Sequence, residues 1–332
     1  ILYRELVERR KADKAANRRR NSAAPDSASV AAAAAANAGS EAVYLQMMKV
    51  VVADGLVHPN EKAMLAEFAA AQHVTPAAHR AALGACGWTE AENFEAPLDT
   101  SAWIGVPGSA YVTDAYRDER GWLEMTGNLQ AKKGAIFNVG QAITPGNVVL
   151  RFKVSTGQCY EPDTVCNSGA PGADGFAMSV FQIGSQDQLV DLLESAYSGG
   201  GLGYGVAGGY GTYEVPAFHI EFDTWHNVYN GNSEHHTDPV SDDHIAVTLN
   251  GNPGVHYLPT AVSDLEDNMW HQMEVRVVGE DVTVSMDGVE LMSGTVPGLT
   301  FKGGYIGFTG STGYYTNYHR FDDLEVEEAC RF

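Results

Sequence analysis

Positive charge is scarce in this sequence. Its 332 residues hold 21 Lys and Arg against 42 Asp and Glu, a formal net charge of −21 at pH 7. An acidic surface repels phosphate, so nucleic acid is excluded as the main partner. Long apolar runs are also missing, and without one of 18 or more residues no transmembrane helix is expected. Only four cysteines occur, and none of their spacings suits a zinc site. Cys159 and Cys166 lie close together in a Pro-containing segment. A local bridge between them would indicate an oxidising compartment, whereas four free thiols would not. No Asn-x-Ser/Thr acceptor occurs, so N-glycosylation gives no support for secretion. The first residue is isoleucine, as expected of a processed chain or a fragment, and no targeting peptide is read from it.

What is present points to folded, strand-rich structure. Hydrophobic residues make up 44% and charged residues 19%, enough apolar material for a sizeable core. The 36 glycines and 15 tyrosines favour a β-rich, loop-rich fold over an all-helical one. The length allows two ordinary domains. Residues 1–40 read as a basic tail and an Ala-rich linker. Ile1–Arg20 carries a net +5 and leaves −26 on the rest. The alanine run that follows is low in complexity, with some helical character.

Residues 41–92 read as a small helical bundle. EAVYLQMMKVVVADG places Val43, Met47, Val50 and Val51 near helical spacing. HPNEKAMLAEFAAAQ puts Pro59 at a helix start and makes a stripe of Met64, Leu65, Phe68 and Ala69. A third helix is expected from Thr75-Pro76, with Ala81, Leu83 and Ala85 inward and Gly87 as its stop. The ADGLVHPNE segment resembles the first helix–loop of tellurite-resistance-type helical domains. It is too short for an EF-hand loop, so the expected role is docking to protein partners or oligomerisation through residues 1–92.

Residues 93–332 carry strand patterns. NVVLRFKV, DGFAMSVFQ, AFHIEFDT, DHIAVTLN, WHQMEVRVV, DVTVSMD and GGYIGFT each read as a strand. Met273, Val275 and Val277 alternate with Glu274 and Arg276, which is period two with one buried face. Gly279-Glu280 and Asp287-Gly288 fall where tight turns belong. Many short strands with regular turns imply an antiparallel sandwich.

The densest chemistry lies in HIEFDTWHNVYNGNSEHHTDPVSDDHIAV. Glu221 and Asp223 sit two apart on a strand and so share a face. Two adjacent carboxylates repel, and a divalent cation relieves that repulsion. Asn227 and Asp238 add oxygens, the Trp225 carbonyl a further one, and His244 a nitrogen. Oxygen ligands suit Ca2+, and a mixed set with one imidazole suits Mn2+ or a similar metal. An acidic, solvated loop without an ion is the plain alternative.

EFDTWHN followed by DP and DHIAV resembles the metal-binding signature of L-type (legume-type) lectins. GADGFAM, SGGGLGYG and GGYIGFTGSTG resemble three further segments of that family, in the family's order. The resemblance covers about 235 residues and implies a mainly β, concanavalin A-like jelly-roll sandwich, here preceded by the small helical domain. It implies transition-metal ligands at Glu221, Asp223, Asp238 and His244, and calcium ligands at Asp223, Trp225 (carbonyl), Asn227 and Asp238. It further implies carbohydrate contacts from Asp174, Gly200 or Gly201, Asn227, Gly313 and Tyr314, with a cis Ala173–Asp174 peptide. Departures from the family are the VYNGNSEHHT insertion, which leaves Asp242 or Asp243 as alternatives to Asp238, and CYEPDTVCNSGAPG, expected to reshape the sugar pocket. Trp225, Tyr229, Tyr314 and Tyr315 are candidates for stacking on sugar rings.

These readings point to a non-catalytic, metal-dependent carbohydrate-binding protein whose partner is a glycan or glycoprotein, in a secreted or luminal place. The alternative is a structural or assembly subunit using a lectin-like domain, for which an organelle-associated assembly is also compatible. A glycoside hydrolase on the same scaffold would need a further strand glutamate, and Trp225 and His226 stand in its place.

Overall fold

The computed structural model describes residues 27–51, 59–74, 78, 82, 92–99, 102–105, 115–143, 147–165, 171–183, 185–206, 212–213, 215–228, 237–241, 243–263, 265–299 and 304–328. The chain divides into two compact units, Ile1–Val50 with His58–Ala82, and Val51–Val57 with Leu83–Phe332.

In the first unit, helix α1 spans Ser27–Val51 and α2 spans Pro59–Ala71. The alanine run is thus continuous with the helix that follows it, as its propensity favours. Tyr44 and Met48 are buried, four residues apart, and Tyr44 stacks on Phe68 at 6.1 Å. Val43 and Val50, expected on the inward face, are 52% and 76% exposed. Because valine is smaller, the face containing the Tyr44 ring and Met48 buries more apolar surface. In α2, Leu65 is buried but Met64 is exposed. Of the third expected helix only Ala78 and Ala82 are described. Both are helical and Ala82 is buried, while Ala81, Leu83, Ala85 and Gly87 lie outside the described residues.

The second unit is a sandwich of two antiparallel seven-stranded sheets. Its strands are β1 (Trp103–Gly105), β2 (Tyr116–Arg117), β3 (Leu123–Glu124), β4 (Lys133–Ile143), β5 (Asn147–Gly157), β6 (Gly175–Phe181), β7 (Ala217–Asp223), β8 (His244–Leu249), β9 (Tyr257–Ala261), β10 (His271–Val278), β11 (Asp281–Met286), β12 (Val289–Thr295), β13 (Gly304–Ser311) and β14 (Tyr318–Glu328). One sheet has the order β1-β4-β13-β6-β7-β8-β9, the other β12-β11-β10-β5-β14-β3-β2. All seven strands expected from the sequence are present. Asp287 and Gly288, both at positive φ, close the β11–β12 hairpin.

Between the sheets, Phe152, Phe176, Phe222, Phe308 and Phe321 form a continuous ring cluster, with Phe308 stacked on Phe321 at 4.1 Å. Phe218, Ile220 and Phe222 of β7 point into this core. Their alternates Ala217, His219, Glu221 and Asp223 therefore face outward, as period two demands. That outer face is covered as well. Helix α3 (Gln186–Ser195) lays Leu189 and Leu193 over it, and the following glycine-rich turn adds Leu202 and Tyr204. Strands β6, β7 and β8 are consequently buried along their whole length. Polar side chains on the outer face must find partners under this cover.

Candidate functional site

Three neighbouring strands deliver the buried polar set. Asp223 pairs with His244 across β7–β8 and with Gly175 across β6–β7. Glu221 lies two residues back on the same face. Asp238 comes from the β7–β8 connection and is anchored to Asn227: its Oδ2 accepts the Asn227 backbone N–H, and its own N–H donates to the Asn227 carbonyl at 3.1 Å. The result is two groups of donor atoms within 4.8 Å of one another, Asp223–Asp238–His244 and Glu221–His244–His256. His256, just before β9, was not found by sequence reasoning. It sits 35 residues from Glu221, and only the β8–β9 pairing brings it in. Asp243 lies outside both groups; Asp242 lies outside the described residues, as do Tyr229, His235 and His236.

The electrostatics of this set are unfavourable for bare carboxylates. Burial, with the charges of Asp238 and Glu221 added, pushes the Asp223 carboxyl well above the usual carboxylate range. Burial opposes charge on Glu221 too, but His256 outweighs it, with help from His244 and Tyr204, and holds Glu221 low. The Tyr204 hydroxyl donates to Glu221 Oε2 at 2.5 Å and lies 2.8 Å from Thr248 Oγ1. Tyr204 in turn stacks on His219 at 4.1 Å. His219 accepts the Gly251 N–H at Nε2, so its Nδ1 carries the proton shared with Ser179 at 2.8 Å. Burial drives the His219 pKa down to about 3, keeping this ring neutral.

A cavity of about 320 Å3 adjoins the carboxylate set through Asn227. Asp174, Gly200, Asn227, Gly313 and Tyr314 all line it. The Ala173–Asp174 peptide is cis. The Asp174 carbonyl accepts from the Thr224 N–H at 2.9 Å and from Thr224 Oγ1 at 3.1 Å. These bonds tie the Asp174 loop to the end of β7. Burial raises the Asp174 pKa to about 7, with the Gly313 N–H acting in the opposite direction. Gly200 faces Asn227 so closely that a Cβ would lie 2.8 Å from Nδ2. Gly201, the alternative, is not in the lining; a Cβ there would meet the Tyr197 side chain at 2.7 Å. Trp225 and Tyr315 pack at 4.8 Å on one rim, and Tyr314 is 78% exposed beside them. The Trp225 carbonyl accepts from Asn227 Nδ2 at 3.3 Å.

Among the described residues of the cysteine segment, 159–165 and 171–172, none lines the cavity, although Ala173 immediately after them does. Arg320 and Asn268 hold its first residues. The Arg320 Nη2 donates to the Cys159 and Tyr160 carbonyls at 2.8 and 2.9 Å, and Asn268 Nδ2 donates to the Glu161 carbonyl at 2.6 Å. Cys159 is disulfide-bonded.

No family model and no curated protein sequence matches this chain. Solved structures do resemble it. An isoform of the Lotus tetragonolobus seed lectin superposes with a TM-score of 0.53 at 13% identity, covering 73% of this chain and 100% of that one. Lectin I-B4 of Griffonia simplicifolia, in its metal-free form, gives 0.51 at 16%, covering 72% and 98%. Lectin II of Ulex europaeus gives 0.50 at 15%, also covering 72% and 98%. The fold is that of the concanavalin A-like, L-type lectins. None of the comparisons supports the likeness of the helical region to tellurite-resistance-type domains. Within the lectin fold, the carboxylate set and cavity sit at one end of β6, β7 and β8, where the glycine-rich turn and the β13–β14 connection meet. No helix among the described residues is long and apolar enough to cross a membrane.

Proposed function

We propose that this chain is a non-catalytic, calcium-dependent carbohydrate-binding protein. The observation that carries the reading is the convergence of Asp174, Gly200, Asn227, Gly313 and Tyr314 on one cavity that shares Asn227 with a buried carboxylate set. Three carboxylates gathered away from water fit a cation far better than an apolar core. Asp223, Asp238, Asn227 and the Trp225 carbonyl would hold Ca2+. Glu221, Asp223, Asp238 and His244 would hold a transition metal such as Mn2+. Bound cations neutralise the clustered carboxylates.

The chain's own groups then do the binding. Asp174 accepts hydrogen bonds from sugar hydroxyls, while Asn227 Nδ2 and the Gly200 N–H donate. A side chain at position 200 would fill the space the sugar needs. Tyr314 and the Trp225–Tyr315 pair offer ring faces at the rim. The cavity is at the small end for a ligand site, so one sugar ring at about millimolar affinity is expected, near −4 kcal/mol. Oligomerisation or docking through the helical unit would raise avidity towards a glycan or glycoprotein. A secreted or luminal location accords with the bonded Cys159. The hydrolase alternative is disfavoured because neither Glu221 nor Asp223 lines the cavity, and Tyr204 and His256 occupy the Glu221 carboxylate.

The test is thermal unfolding of the full chain in EDTA and after Ca2+ or Mn2+ is restored, with a glycan array under the same conditions. Calcium-dependent stabilisation with calcium-dependent glycan signals supports the reading. Stabilisation without any glycan signal favours the assembly-subunit alternative, and no response to metal overturns the cation assignment.

A further inference from the structure

His256 occupies a position that the four-ligand assignment does not use. Its Nε2 lies 2.8 Å from Glu221 Oε1 and 4.0 Å from Asp238 Oδ1. His244 Nε2 lies 3.8 Å from the same Glu221 oxygen. The two imidazole rings are 5.4 Å apart and inclined at 63°, and both side chains are buried, at 3% and 1% exposure. Donor atoms around one first-row metal, with bonds of about 2.0–2.2 Å, lie about 3–4.4 Å from one another. The donor atoms of Glu221, His244 and His256 all lie within 4.8 Å of one another, and the 2.8 Å approach of His256 to Glu221 would open by a few tenths of an ångström around an ion. An imidazole also suits zinc better than manganese, which prefers oxygen.

We propose that His256 is a metal ligand, and that with Glu221 and His244 it forms a two-imidazole position selective for Zn2+ over Mn2+. The proposal rests on the reading of the buried carboxylates as a cation site, and it adds a ligand and a metal preference to that reading. A simple ion pair between His256 and Glu221 predicts a different behaviour: substitution would cost stability in the absence of metal and leave metal affinities alone. Tyr204 fits the metal role as well. Its hydroxyl occupies Glu221 Oε2, which leaves Oε1 turned towards the two rings.

The experiment compares the full wild-type chain with His256→Gln after stripping with EDTA. Zn2+ affinity is read by competition with a chromophoric chelator and Mn2+ affinity by electron paramagnetic resonance. The expected result is a tenfold or greater loss of Zn2+ affinity in the variant, with Mn2+ affinity changed less than threefold. Zinc binding within threefold of wild type in the variant overturns the proposal, as does a wild-type chain that binds no zinc. A measurement free of any substitution guards against a variant that fails to fold. Cobalt-loaded wild type should show two hyperfine-shifted, exchangeable imidazole N–H protons in its NMR spectrum; a single one overturns the proposal. Calcium-dependent melting is recorded on the same wild-type sample. If calcium still stabilises the chain while the zinc results fail, only the His256 assignment falls. If neither calcium, zinc nor manganese has an effect, the cation reading falls with it.

Discussion

Lys133 Nζ donates a hydrogen bond to the backbone carbonyl of Ala196 at 2.7 Å. The same ammonium also reaches the carbonyls of Leu193 and Glu194, each at 3.0 Å. One buried cation on β4 thus caps the C-terminal end of α3, where orphan carbonyls and the helix dipole both favour positive charge. The Gly199–Gly201 turn leaves from this cap. Lys133 therefore acts at a distance on the loop that carries Gly200.

Lys133→Met keeps the length and apolar body of the side chain but removes all three donors. It should cost about 2–3 kcal/mol, since buried carbonyls are left unsatisfied. Denaturant unfolding gives the stability change. The same variant should weaken glycan binding through the loosened turn, which calorimetric titration at matched calcium would show.

Gly200→Ala places a methyl group 2.8 Å from Asn227 Nδ2. Asn227 is buried and bonded to Asp238, so it has little room to move. We expect at least tenfold weaker sugar binding together with a lower melting temperature in EDTA, because the methyl group and the Asn227 amide cannot both keep their places. Gly201→Ala, which meets Tyr197 instead, should shift stability more than it shifts affinity.

Asp223→Asn should abolish the calcium-dependent rise in melting temperature. In EDTA the variant should be at least as stable as wild type, because a repelling carboxylate has gone. Differential scanning calorimetry with and without calcium separates the two effects.

Arg320 and Glu124 form an ion pair at 3.0 Å with both side chains buried. Replacing Arg320 by Met leaves Glu124 uncompensated and should cost about 3–5 kcal/mol. The double variant Arg320→Met, Glu124→Leu should recover much of that loss. A double variant no more stable than the single one would show that the other bonds of the pair carry the effect, those of Arg320 to Cys159, Tyr160 and Asn268 and those of Glu124 from the Thr126, Gly127 and His319 N–H groups.

His271 supplies a pH-dependent contribution far from the cavity. Burial disfavours its charge, but Asp287 at 2.7 Å and Asp267 at 3.1 Å outweigh that and raise its pKa. The contribution is fully present below the unfolded histidine value of about 6.5 and disappears as pH rises through the higher folded value. Asp287, lowered in turn, brings the acid limit: its share is lost as pH falls below the usual carboxylate range. His271→Gln should therefore cost about 0.5–1 kcal/mol near pH 6 and almost nothing at pH 9. Urea unfolding at the two pH values checks this.

Period-two alternation made β10 and β11 legible, because each keeps one face in solvent. The fully buried β6, β7 and β8 were legible as apolar runs with tight turn signals. Other strands carried weak patterns for physical reasons. The short strand β9 contains Pro259, which is tolerated because β9 is an edge of its sheet. In β14, acidic residues such as Asp322, Asp323 and Glu325 alternate unevenly around a bulge. At the site, Glu221, Asp223, Asn227, Asp238 and His244 are near in sequence and could be grouped by spacing. His256, Tyr204 and Lys133 could not, since strand pairing and the packing of α3 bring them in. Of the α1 residues expected on one face, Val51 is buried while Val43 and Val50 are exposed, because Tyr44, despite its polar tip, buries more apolar surface than the valines beside it.

Asn227 borders the cavity with its side chain and binds Asp238 with its backbone. On the proposed function, a residue shared in this way would make occupancy of the two places a single linked equilibrium. Whatever factor a cation contributes to the affinity for ligand, the ligand must return to the affinity for the cation. Dialysis against chelator should accordingly strip the sugar-saturated chain less completely at equilibrium than the free chain, so that the retained ion would report on the bound sugar without any label on it.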